Sequence, residues 1–195
     1  MASLAHHFRT MAFNNAWSNH RLLAACAQLT DEEFGAPRVS FFPSLRHTLN
    51  HNLTVDWYYV DALERSLHGH APNERAADFY EPEQPFARCA ELQPAQRAVD
   101  QRLIDLCSAL TDARLDGPVE LPRRSGLQID VMSRILAHLF QHQIHHRGQA
   151  HAMLAGTRIA PPQLDEFFCS NEADERADDF AALGFSEAQI WGEPR

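Results

Sequence analysis

Four stretches of this chain repeat apolar residues at intervals of three and four, a period that belongs to helices with one face buried. Leu4 to Leu29 places Leu4, Phe8, Met11, Ala12, Trp17, Leu22, Ala25 and Leu29 at helical spacings and contains neither proline nor glycine. A second helix is expected from Pro43 to Leu67, with Pro43 in its first turn. It carries two apolar strips, as a central bundle helix does. Leu92, Ala95, Val99, Leu103, Leu106 and Leu110 mark a third, with Pro94 in its first turn. Asp130 is placed to cap a fourth from Val131 to Leu154, and Gly156 to end it.

The punctuation between these stretches fits helices joined by loops. Residues 73–85 are polar and proline-bearing, long enough to cross between bundle ends. Residues 116–125 hold Gly117, Pro118 and Pro122, and short extended pieces are expected around residues 119–121 and 127–129. Pro161 to Phe168 begins a fifth, shorter element. Beyond it an acidic run, Glu172 to Asp179, precedes Phe180, Leu183, Phe185, Ile190 and Trp191. The expected fold is all-α: a four-helix bundle over residues 1–170, with a short additional C-terminal helical element. The acidic and aromatic extension, residues 171–195, is expected to pack on the bundle or on a partner.

A length of 195 residues makes one domain the expectation. The net charge of −9 repels phosphate backbones and anionic lipid, so nucleic acid and membranes are poor partners. No apolar run reaches membrane-spanning length, and the first thirty residues lack the pattern of a secretory signal. A cytoplasmic protein is the expectation. Cys26, Cys89, Cys107 and Cys169 are scattered with no Cys-x-x-Cys pair, which leaves free thiols rather than a thiolate metal site or a redox motif.

Histidine is where this sequence departs from an ordinary bundle. Five of the twelve histidines fall between His138 and His151. His138, His142 and His146 recur every four residues, and each such step drifts about 40° around a helix, so neighbours converge on one point while the outer two diverge. One metal ion takes two of the three. The second predicted helix offers His47 and His51, again four apart, as partners across the bundle. Three imidazoles from two facing helices leave a coordination position open, and they suit zinc, nickel, copper or iron better than magnesium or calcium. The competing reading has these histidines bridging polar core groups or lying at the surface.

Two metal motifs are excluded. Zinc proteases need glutamate after the first histidine, where this chain has Gln143. Carboxylate-bridged di-iron bundles need Glu-x-x-His, and no glutamate here has a histidine three residues on. Dinucleotide and phosphate-loop glycine patterns and the Gly-x-Ser-x-Gly elbow are missing as well.

Separated blocks of the sequence resemble the DinB family, named for DNA-damage-inducible members and related to bacterial thiol-dependent transferases. They are Asn14-Asn15-Ala16-Trp17-Ser18-Asn19, then Leu49-Asn50-His51 with Val55-Asp56-Trp57, then His142-Gln143-Ile144-His145-His146-Arg147-Gly148-Gln149, and finally Pro161-Pro162-Gln163-Leu164-Asp165. The resemblance implies a divalent transition metal, zinc or nickel first and iron or manganese next, held by His51, His142 and His146. His47, His138 and His145 then lie beside the site. By helical angle Gln149 lies close to the face of His142, whereas Arg147 points away toward a structural ion pair, and Asp56 is structural. The implied activity is a metal-dependent transfer of a low-molecular-weight thiol to small electrophiles. A hydrolase using metal-bound water and a non-catalytic stress-response scaffold are the alternatives. A homodimer is also implied.

Overall fold

Ser3 accepts a hydrogen bond from His6 N at 3.1 Å and so opens α1 (Leu4–Cys26) in the computed structural model, which describes residues 3–192. The expected extension to Leu29 gives way to a turn. Thr30 and Glu33 then form a capping box that starts the short helix α2 (Asp31–Gly35), a single turn that apolar periodicity does not announce. Ser44, rather than Pro43, begins α3 (Leu45–His68) by accepting from His47 N. Gly69 ends that helix in a left-handed conformation (φ 68°).

The third long helix, α4 (Cys89–Ala109), starts earlier than the spacing predicted, so exposed Pro94 lies in its second turn. The extended pieces expected near residues 119 and 129 pair as an antiparallel hairpin, β1 (Pro118–Arg123) and β2 (Gly126–Val131), with Pro118 opposite Val131. The hairpin leads into α5 (Met132–Ala155). Asp130 does not cap α5. It belongs to β2, accepts from Val131 N and pairs with Arg134.

Pro161 to Phe168 forms no helix. Its first two residues lack N–H donors, and the segment is instead pinned by His151 Nε2, which donates to Pro162 O at 2.8 Å. The C-terminal helices are α6 (Ala173–Leu183) and α7 (Glu187–Trp191).

In the bundle, α1 packs against α4 and α5, and α3 packs against the same two, so α1 and α3 sit on a diagonal. The interior is closed by Phe13, Trp17, Leu45, Leu53, Leu63, Leu92, Leu103 and Leu136. Each such side chain contributes about 1.5–3 kcal/mol on burial. The extension lies against α1: Phe180 and Ile190 are buried, and Trp17 Nε1 donates to Asp179 at 3.1 Å. Cys26, Cys89 and Cys107 are buried free thiols, and Cys169 is exposed. No helix among the described residues is long and apolar enough to cross a membrane.

Candidate metal centre

The adjacency of α3 and α5 brings three imidazoles together. His51 ends the second turn of α3, and His142 and His146 stand one turn apart on α5. His51 Nε2 and His142 Nε2 are 3.0 Å apart. Ring centroids lie 4.8 Å apart between His51 and His146 and 4.5 Å between His142 and His146. One ring nitrogen from each residue falls within 4.8 Å of the other two.

Those spacings suit a single ion. Tetrahedral bonds to imidazole nitrogen place ligand atoms about 3.3 Å apart, within small side-chain adjustments of what is seen. Protonation works against the alternative of a charged cluster. Burial, and then the mutual repulsion of the rings, lowers His51 to about 4 and His142 to about 3, and burial lowers His146 as well. All three are therefore neutral at pH 7 and present lone pairs.

Gln149 fixes one of those lone pairs. Its Oε1 is an acceptor only, so His146 Nδ1–H donates to it at 2.8 Å and Nε2 is left unprotonated. The Gln149 amide in turn donates to His145 Nε2 at 3.1 Å. Helical angle had associated Gln149 with His142; spacing of three residues gives it to His146 instead. Among the described residues the buried Nδ1 of His142 has no hydrogen-bond partner.

His47, His138 and His145 flank the trio without joining it. His47 faces Glu83 at 3.1 Å, and His138 packs on Tyr59 with ring centroids 5.3 Å apart. The loop before α3 supplies a wall that periodicity did not reveal. Phe42 lies 4.5 Å from His51 and 5.5 Å from His146, centroid to centroid, and exposed Phe41 is 6.4 Å from His146. A bond from Arg38 N to Pro43 O at 2.7 Å closes this loop.

The sequence reading also missed a polar core beneath the site. Arg147 points away from the trio as expected, yet among the described residues it bonds amides and no carboxylate: Asn15, Asn19 and Gln143 accept from it. The same two asparagines donate to Asp100, and Gln96 bridges Asp100 to the buried Asp56. The Asn14–Asn19 block and Gln143 were the available signals, since amides on core faces need partners.

Comparison with known proteins agrees with this architecture. The uncharacterised protein YizA of Bacillus subtilis is 25% identical over 136 residues, which cover 70% of this chain and 79% of that protein. The crystal structure of a DinB-like protein from Bacillus cereus superposes with a TM-score of 0.56 at 18% identity, covering 75% of this chain and 90% of the other, a likeness of fold. Residues 3–177 match the DinB family model, and that span, from α1 into α6, makes this chain a member of the DinB family.

Proposed function

We propose that the protein is a metal-dependent transferase of small molecules, in which His51, His142 and His146 hold one divalent transition metal and a low-molecular-weight thiol is the nucleophile. The observation that carries this reading is the convergence of three neutral imidazole nitrogens from only two helices. Three nitrogen ligands leave room for an exchangeable one, and imidazole suits zinc, nickel, copper or iron, of which the family resemblance puts zinc or nickel first. Bound there, such a cation supplies the positive charge that lowers the pKa of a coordinated thiol and yields a thiolate at neutral pH.

The remaining work falls to this chain's side chains. Gln149 holds His146 in the tautomer that binds metal. Phe42 covers the rings of His51 and His146 and keeps bulk water from that side. Phe41 and Val39, exposed at the loop tip, offer an apolar surface to an incoming electrophile.

Elemental analysis of protein purified without a histidine tag is expected to find one equivalent of transition metal per chain. His51→Ala, His142→Ala and His146→Ala are each expected to lose it while keeping their helicity by circular dichroism. Conjugation assays with metal-loaded protein should detect turnover with a cellular thiol; no turnover with any of them overturns the transferase reading. Chelation separates catalysis from a scaffold role. Two of the four bundle helices carry the ligands and the core closes without them, so the metal-free protein should stay folded; unfolding on chelation would make the metal structural.

A further inference from the structure

A groove of about 350 Å³ runs between the loop ahead of α3 and the C-terminal half of α5, lined by Arg38, Val39, Ser40, Gln149, Ala152 and Met153. It continues the metal centre, because Gln149 both lines it and binds His146. Building on the proposed transferase reading, we propose that this groove takes the carboxylate end of an elongated small molecule whose reactive end lies at the three histidines.

Arg38 gives the groove its specificity. Its Nη1 donates to Ala36 O and its Nη2 to Glu33 O, each at 2.8 Å, which fixes the guanidinium on the C-terminal end of α2. Neither bond neutralises the charge. Among the described residues no carboxylate lies within ion-pair distance of Arg38, and the nearby Glu33 carboxylate is taken by Arg158 and Thr30 N. A guanidinium has five N–H donors, so a forked set remains for a planar anion. In a chain of net charge −9, such a lone cation on a cleft is a local attraction for anions against a repelling background.

Apart from Ser40 and Gln149, the groove walls beside Arg38 are apolar. Val39, Ala152 and Met153 suit a methylene chain. The three to seven residues from His146 to Gln149 and Met153 rise about 5–10 Å along α5, the length of a chain of several carbons. The negative end of the α5 dipole opposes an anion here. It is partly consumed, since Gly156 N and Thr157 N donate to the carbonyls of Met153 and Leu154, and a full guanidinium charge at contact outweighs the remainder.

Calorimetric titration separates this proposal from the metal chemistry. On metal-free protein, octanoate is expected to bind about tenfold tighter than octanol, the preference that one charge-assisted contact confers. Arg38→Gln and Ala152→Glu should abolish that preference, the second by like charge on an exposed helical position outside the trio of His51, His142 and His146. Arg38→Lys should keep part of it, which excludes a mere loss of loop structure. Equal affinity for acid and alcohol, or a preference that survives both Arg38→Gln and Ala152→Glu, overturns the proposal. On metal-loaded protein, mercaptooctanoate should bind tighter than octanoate. If the thiol adds nothing while the Arg38 dependence holds, the groove stands and the thiol reading falls.

Discussion

Asp100, buried between α1 and α4, accepts from Asn15, Asn19 and Gln96, and the same asparagines accept from the buried Arg147. Two amides thus transmit an ion pair whose members do not touch. Asp56 stands differently: burial and the nearby Asp100 raise it to about 8, while Asp100 itself is raised by burial only to about 6. At neutral pH the network therefore holds one anion, Asp100, one cation, Arg147, and a protonated Asp56. Substitution should expose the difference. Asp56→Asn replaces one neutral group by another and is expected to cost about 1 kcal/mol or less. Arg147→Met strands the Asp100 charge and is expected to cost about 3–5 kcal/mol. The double variant Asp100→Asn with Arg147→Met should recover part of that loss. Urea unfolding at pH 7 measures all three, and equal costs for Asp56→Asn and Arg147→Met would contradict this charge assignment.

Among the elements, the long helices were legible because burial imposes their period, and the connections were not. Leu92 to Leu110 announces α4, but Cys89 to Glu91 continue it without any apolar signal beyond Cys89. Spacing narrowed the candidates to His138, His142 and His146 on one helix and His47 and His51 on another, and the family likeness chose His51, His142 and His146 among them. Phe41 and Phe42 lie in a loop whose path depends on α2, and no local pattern foretells where it lands. Thr30-Asp31-Glu32-Glu33 did carry the capping-box pattern that starts α2, and the reading passed over it because one turn of helix shows no period. The cap has a distant effect. Buried Phe34 anchors α2 on the bundle, and the loop that α2 leads into places Phe42 beside His51 and Arg38 on the groove that Gln149 also lines. Thr30→Ala is expected to cost about 1 kcal/mol. Hydrogen exchange should speed up at Phe34 N, which bonds Thr30 O at 2.9 Å, with little change in α5. Uniform acceleration across the bundle would instead mean that α2 and the core open together.

At the scale of the whole molecule, the two sets of buried titratable groups pull stability in opposite directions with pH. In the metal-free protein His51 and His142 titrate at about 4 and about 3, below the ordinary 6.5 they regain on unfolding. Between those values the unfolded chain binds more protons, so stability falls as pH drops through 6.5 toward 4. The carboxyls do the reverse. Asp56 and Asp100 titrate at about 8 and about 6 when folded, against 3.8 ordinarily, so the folded chain keeps protons that the unfolded chain releases. Their contribution is full below 3.8 and is lost as pH rises toward 8. The urea midpoint of metal-free protein should therefore pass through a maximum in the mildly acidic range, where neither loss is complete. Asp56→Asn should flatten the alkaline side, because an amide has no proton to lose, and His142→Gln should flatten the acid side. Metal changes only one limb: an ion on the three histidines must be displaced by protons before the rings can charge, so loading should steepen the acid side and leave the Asp56 side as it was. A profile in which metal alters both limbs alike would show that the histidine site and the polar core beneath it titrate as one coupled unit.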